Sequence, residues 1–327
     1  MKPLLAVLLL ALCAGCGRYA DFTLPPLPGG PGPQPAVSLQ TEPSLTRGPA
    51  GAWDAVDVLN PSVARRGATF FNFYSGYDGH TWRTGLATSP DGVTWQKQGS
   101  VLQPDAPWEG HYIAANGAAL EREGEFWYWY QAGEQDHPQI GLARSRDGLH
   151  WRKEPQPVLS HGPYMSWDES AVGDPYAVEL DGWLYLYYLG EDRARQQRLG
   201  LARSRDGVHW QKRREPLFDL PQMTPEVHMD ERGQGEPAVW RQAGWYWMLF
   251  TGRDRDEHRR LALARSLDGV HWQRLQTLAG QSAWNRAVLC DPTVLAGSDG
   301  VRLWFGGGDR PSPAENLNGA IGAGRIQ

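Results

Sequence analysis

The sequence predicts an all-β chain, a five-bladed β-propeller with four antiparallel strands per blade and a ring closed by the N-terminal strand. Three observations predict it. The segment GLATSPDGVTW (Gly85–Trp95) recurs as GLARSRDGLHW from Gly141, GLARSRDGVHW from Gly200 and ALARSLDGVHW from Ala262, at spacings of 56, 59 and 62 residues, with a truncated AIGAG at Ala320–Gly324. A second pattern precedes each copy, from Asn60, Asn116, Asp174, Glu236 and Asp291: a short apolar run, a polar turn and an aromatic-rich run ending at Gly. The composition, with 16 Trp, 39 Gly and 25 Pro in 327 residues, suits short strands and tight turns rather than helices.

Each unit supplies its own strands. The upstream pattern reads as strands A and B. The Gly-Leu-Ala-x-Ser run is strand C, Asp-Gly is the tight turn, and strand D starts at Trp. Asp91, Asp147, Asp206 and Asp268 are therefore turn residues, repeated because every hairpin needs them. The last unit stops at Gln327 after its strand C. The stretch Val37–Asp54 parallels Trp151–Asp168 and is expected to supply the missing outer strand, pairing the two chain ends so that no sheet edge stays open.

The first 36 residues are set apart. Lys2, the apolar run Leu4–Leu12 and small residues before Cys16 resemble a bacterial lipoprotein leader, 1–16, with Cys16 as the lipidated residue. Residues 17–36, rich in Pro and Gly, are expected to be an extended tether, leaving 37–327 as the propeller. This layout implies a monomer in the bacterial cell envelope, most simply at the outer membrane, touching the membrane through its lipid alone. Cys290 is the one thiol left in the folded part, so no intrachain disulfide forms there. With 32 basic and 37 acidic residues, a net charge of -5 and no basic stripe, nucleic acid is not an expected partner.

Strand alternation places the start of every strand A, the B–C loops and the D-to-A links on one face, with the A–B and C–D turns on the other. The residues opening strand A are Asn60, Asn116, Asp174, Glu236 and Asp291, and all five are expected to point around a central funnel. Four precede Pro, which favours an extended backbone at that residue. The column changes between amide, Asp and Glu where a packing column would hold one type. An earlier column, Asp54, Glu109, Asp168, Asp230 and Asn285, keeps nearly one type and reads as a blade-to-blade structural link. Asp57, His111, Glu169 and His228 lie in the same links without repeating, which makes them candidates for ligand contact. The arginines of the B–C loops, Arg193, Arg195, Arg253 and Arg255, read as solvated charge.

Asp-Pro or Glu-Pro at strand A, the Ser-x-Asp-Gly-x-x-Trp hairpins and five units together resemble the arabinanase, levansucrase and invertase superfamily, which includes glycoside hydrolase families 43 and 32. The resemblance spans about residues 37–327. It implies an exported glycoside hydrolase-like protein acting on a poly- or oligosaccharide by carboxylate acid/base chemistry. The Gly-Asp-Pro at Asp174 resembles the family-43 acid that tunes its neighbour, and the Gly-Glu-Pro at Glu236 resembles the general acid. The preceding units offer Asn116 and Asn60 where a base is required, so Asp57 or Asp291 is left to serve as base. Asn60, Asn116, His111, Glu169 and His228 are then substrate-binding candidates, with Trp and Tyr stacking on sugar rings. The two amides also suit a carbohydrate-binding or scaffold lipoprotein without catalysis. No cofactor is expected from ligand spacing, and the resemblance leaves a structural calcium in the funnel open.

Overall fold

Antiparallel pairing of neighbouring segments accounts for nearly all of the regular structure. The computed structural model describes residues 19–32, 34–221, 226, 228–297 and 300–327. The leader and Cys16 lie outside them. The first strand, β1 (Val37–Leu39), stands before five groups. The first group holds β2 (Asp57–Leu59), β3 (Val63–Arg66), β4 (Thr69–Tyr77), β5 (Trp82–Ser89) and β6 (Gln96–Leu102). The second holds β7 (Ile113–Arg122), β8 (Glu125–Gly133), β9 (Gln139–Ser145) and β10 (Arg152–Lys153). The third holds β11 (Ala171–Leu180), β12 (Trp183–Glu191), β13 (Gln197–Ser204) and β14 (Gln211–Lys212). The fourth holds β15 (Gly233–Gln242), β16 (Trp245–Arg253), β17 (Arg259–Ser266) and β18 (Trp272–Leu278). The last holds β19 (Val288–Gly297), β20 (Gly300–Gly308) and β21 (Ala320–Ile326). Within each group the strands pair antiparallel in sequence order, except that β2 and β3 both pair with β4, and β1 pairs antiparallel with β21 through Val37↔Ile326 and Leu39↔Gly324. The architecture is all-β and propeller-like.

The Ser-x-Asp-Gly turns close as the sequence expects. At the second of them, Asp147 Oδ1 accepts the Leu149 and His150 N–H groups at 2.8 and 2.9 Å, and Ser145 Oγ accepts the Gly148 N–H at 2.8 Å. The same bonds recur around Asp91, Asp206 and Asp268. They hold each of these carboxyls below the usual carboxylate range.

The repeating acidic column is a buried clamp that ties each link to the group following it, rather than the expected bond from blade to blade. Asp54, Glu109, Asp168 and Asp230 each meet a cation from the outer strand of their neighbourhood, Lys97, Lys153, Lys212 and Arg274, at 2.5–2.8 Å. Tyr74, Tyr130 and Tyr188 donate a phenol to the first three. The preceding Trp167 lies against Gly200 so closely that a Cβ there would come within 2.3 Å of the indole. Asn285 replaces the acid in the last group, whose outer strand is β1 and carries no cation.

The Pro/Gly-rich segment is extended, as its composition requires, but it is docked rather than free. Leu24 and Leu27 N–H groups donate to the carbonyls of Asp268 and Leu267, and Gly29 N–H donates to the Gly244 carbonyl. Tyr246 Oη donates to the Pro25 carbonyl at 2.7 Å, and Trp245 Nε1 to that of Gly30 at 3.1 Å. Proline leaves carbonyls bare along this stretch, and side chains of the fourth group take them. Leu24 is buried against Gly269, and Phe22 joins the core between the third and fourth groups. The strap covers the face of A–B and C–D turns, opposite the A-strand starts.

Two stability outcomes follow. Leu24→Ala empties a filled slot and is expected to cost roughly 2–4 kcal/mol in urea unfolding. Asp168→Ala strands a buried Lys212 and is expected to cost about 3–5 kcal/mol, whereas Asn285→Ala, with no cation to strand, costs about 1 kcal/mol. Equal losses at Asp168 and Asn285 would contradict the clamp.

Candidate functional site

Each inner strand carries a break in register at the column that the sequence singles out. Gly173 pairs with Leu189 and Tyr176 with Tyr187, so Asp174 and Pro175 face one residue of the partner strand. The same two-against-one bulge holds Asn116–Gly117, Glu236–Pro237 and Asp291–Pro292, and a wider gap between β2 and β3 holds Asn60–Pro61. Asn60, Asn116, Asp174, Glu236 and Asp291 all have positive φ, between 44° and 51°. The expectation of an extended backbone before Pro is overturned here. A bulge needs a left-handed residue, and that need outweighs the proline preference. Proline still has a use: the second bulge residue would leave its N–H without a ladder partner, and Pro has none. Where Gly117 stands instead, Tyr128 Oη takes its N–H at 3.1 Å.

Four of the strained residues are held from the neighbouring group, while the bulge at Glu236 faces the apolar Leu189. The seventh residue of each second strand faces the bulge of the next group: Ser75 Oγ accepts the Asn116 N–H at 3.0 Å, Gln131 Oε1 that of Asp174 at 3.2 Å, and Thr251 Oγ1 that of Asp291 at 3.2 Å. Gly306 holds this position before Asn60, and a Cβ there would come within 2.5 Å of Asp291 Oδ2. The space goes to the carboxylate, which takes the Asn60 N–H at 3.1 Å.

The five side chains surround one funnel of about 190 Å³. Asn60 Nδ2 donates to Asp291 Oδ1 at 2.9 Å, and Asn116 Nδ2 to Asp174 Oδ1 at 3.3 Å. Glu236 Oε2 accepts the Asp291 N–H at 3.1 Å, and the Cys290 thiol donates to Asp291 Oδ2 at 3.1 Å. Burial, reinforced by the Glu236 charge, lifts Asp174 to about 7 and Asp291 well above the usual carboxylate range. Arg259 is the buried counter-charge. Burial opposes its charged form, but Glu236, Cys290 and Asp291 outweigh that and raise it. The cluster therefore stores protons near neutral pH, as a general acid requires.

Other expected site residues lie elsewhere. Asp57 is buried with its oxygens on the N–H groups of Asn316, Leu317 and Gly319 at 2.6, 3.1 and 2.7 Å, where it staples the loop before β21 to β2. It does not line the funnel and is not positioned as a base. Asp291 does line it, yet both its oxygens are engaged by Asn60 and its proton affinity is raised, so it is no ready base either. His111 is exposed, and its carbonyl accepts the Thr81 hydroxyl. Glu169 pairs with Arg193 at 2.7 Å outside the funnel. His228 lines a separate hollow beside Met229, Asp230 and Thr277.

Sequence reasoning missed the residues three before the Gly or Ala that opens each strand-C copy. Trp82, Pro138, Gln197 and Arg259 all line the funnel. They never repeat, and that rule would have found them. The B–C arginines are not simply solvated. Arg195 bonds Asp136 and Glu191, and Arg253 and Arg259 donate to the Pro313 carbonyl. Among the described residues, Glu236–Cys290–Asp291 and Asp254–Asp256–His258 gather potential metal ligands. The first already has Arg259 as its cation, and the second spends Asp254 Oδ1 on two backbone N–H groups, so neither offers the six or more oxygens calcium takes.

The pattern of the Glycosyl hydrolases family 32 N-terminal domain matches residues 69–232. The chain belongs to that family. It is 29% identical over 228 residues to the sucrose-6-phosphate hydrolase of Escherichia coli, covering 64% of this chain and 45% of that one. It is 29% identical over 133 residues to the 1,2-beta-oligomannan phosphorylase of Thermoanaerobacter sp. (strain X514), covering 38% and 43%. The family 32 domain thus spans less than half the length of these two curated relatives. A family 117 glycoside hydrolase of Zobellia galactanivorans superposes with a TM-score of 0.66 at 17% identity over 90% of both chains. The sucrose-6-phosphate hydrolase of Lactobacillus gasseri gives 0.61 at 16% over 82% and 58%. These likenesses support the propeller-like fold.

In this family 32 domain the protonated Asp174 has a stability signature. A carboxyl whose folded pKa is raised from 3.8 to about 7 stabilises the fold fully below the lower value and loses that contribution as pH rises through the higher one. Asp174→Asn cannot ionise. Its unfolding free energy relative to the parent chain is expected to improve by a few kcal/mol between pH 4 and pH 8, at about 1.4 kcal/mol per pH unit, measured by urea titration at both. A constant difference would mean that Asp174 is ionised throughout.

Proposed function

We propose that this chain acts on a glycosidic bond of an oligo- or polysaccharide held in the funnel, with the Asp174–Glu236 pair delivering the proton to the leaving oxygen. The five strand groups are read as five blades in a ring that β1 closes beside β21. The observation that carries the proposal is the convergence of Asp174, Glu236 and Asp291 from three successive bulges onto one hollow in a family 32 domain. Burial, then the neighbouring Glu236, lifts Asp174 to about 7, so that it can give up a proton near neutral pH. Trp82, stacked on Tyr77, and Tyr112 add aromatic wall to the same funnel.

A second reading is favoured by the two amides. Asn60 and Asn116 cannot take a proton from water, and neither Asp57 nor Asp291 has a free oxygen pair. Phosphorolysis needs no such base. An oxygen of inorganic phosphate attacks the anomeric carbon, the glycosidic C–O bond breaks, and the acid's proton goes to the leaving oxygen, giving a sugar 1-phosphate and a shortened chain. The oligomannan phosphorylase relative bears a name of that class.

One experiment separates the readings. Fructo-oligosaccharides and 1,2-β-mannooligosaccharides are incubated with the chain, with and without inorganic phosphate. Free sugar in both conditions marks hydrolysis, and sugar phosphate formed only with phosphate marks phosphorolysis. In either case Asp174→Asn and Glu236→Gln are each expected to lower kcat by about 10²-fold or more, and the parent's rate to fall as pH rises through about 7. Unchanged turnover in both variants would sink the assignment. Binding without any product would mark a carbohydrate-binding protein.

A further inference from the structure

Outside the funnel wall, the described residues expose two large apolar side chains far more than any others, Tyr164 at 76% and Met165 at 79%. They are not loose. Arg193 lies over the Tyr164 ring, 4.3 Å from its centre, and donates to its hydroxyl at 3.3 Å. Glu169 holds Arg193 in a two-pronged pair at 2.7 and 3.1 Å and accepts the Met165 N–H at 2.7 Å. Met165 has a positive φ of 68°. An ion pair and a strained backbone thus present an aromatic face to solvent, a large apolar group for which internal packing has no use.

The position is informative. The loop joining β12 and β13 is shared between two hollows. Glu191, Arg195 and Gln197 line the funnel, whereas Asp192, Arg193 and Gln196 line a groove of about 1390 Å³ that also contains Tyr164 and Met165. Five acidic residues and three arginines line this groove, which disfavours an anionic ligand. A neutral polyhydroxylated ring, apolar on its face and hydrogen-bonding at its rim, fits a tyrosine backed by arginine and edged by carboxylates and amides.

We propose that Tyr164, positioned by Arg193 and Glu169, is a docking platform for the distal rings of a neutral oligosaccharide whose reacting end lies in the funnel. The inference rests on the carbohydrate reading above and extends it: the substrate is a chain of several sugars, not a disaccharide. Glu169, expected from sequence to contact ligand, acts here by holding the platform.

The test uses the full chain and titration calorimetry with two- and six-residue fructo-oligosaccharides and 1,2-β-mannooligosaccharides. One six-residue ligand is expected to bind about tenfold tighter than its two-residue counterpart, the size of one good stacking contact at 1.4 kcal/mol. Tyr164→Ala is expected to erase that gap without changing two-residue binding, and Tyr164→Phe to keep it. The side chain is exposed, so the fold survives its removal. If parent and Tyr164→Ala cannot be told apart on every six-residue ligand, bound or unbound, the platform is wrong. Failure of the funnel reading is seen separately, as turnover unaffected by Glu236→Gln.

Discussion

The left-handed bulge in each inner strand is the constraint on which the site depends. A regular strand would turn successive side chains alternately along the sheet faces. A bulge re-aims one of them, at a cost of about 1–3 kcal/mol for a non-glycine residue at positive φ. That cost recurs at Asn60, Asn116, Asp174, Glu236 and Asp291. At four of the five it is met by bonds from the adjoining group, with Ser75, Gln131, Thr251 and Asp291 each catching the N–H of the next bulge. The strained residue and its support belong to different groups, so the site exists only when neighbouring groups are packed. Asp174 is thus positioned by Gln131, and Asp291 by Thr251 and Asn60.

Each group is in turn fastened to the link before it by a buried clamp. An acid, a cation from the outer strand and a tyrosine hydroxyl recur with nearly the same distances in the first three groups. Such ion pairs add little net stability, because desolvation offsets their attraction. They do fix geometry, since any other arrangement leaves a charge buried alone. This explains why the column hardly varies, while the funnel column changes between amide, Asp and Glu. Repetition marks what every group must do, and variation marks what the assembly does once.

That contrast was legible in the sequence, and the five residues of the varying column line one cavity. The turns at Asp91, Asp147, Asp206 and Asp268 were legible because their chemistry is local: a carboxylate bonding its own next residues needs no tertiary information. The positive φ was hidden by the prolines, whose local preference for an extended predecessor gave way to a bulge set by the sheet register. Asp57 was misread for a related reason. It sits three residues before Asn60, but the loop it staples, 316–319, lies at the other end of the chain, and no local pattern announces such a contact. The Pro/Gly segment was read from composition as an extended tether, and composition says nothing of what it docks on. Whether bare carbonyls find donors depends on where Tyr246 and Trp245 point.

The two amides in the ring look different once the charges are placed. An acid at all five positions would set five carboxyls around one buried arginine, and in a dry cavity most of them would have to be protonated. Amides at Asn60 and Asn116 remove two charges and add donors. Asn60 bonds both oxygens of Asp291, and Asn116 reaches Asp174 while its own carbonyl takes the Ser75 hydroxyl. They orient the remaining acids without competing for protons. Asp174 then responds chiefly to burial and to one partner, Glu236. The substitutions that make a water-activating base hard to find are the same ones that leave a defined acid pair in the funnel. A nucleophile that arrives already charged would be the natural complement to such a site.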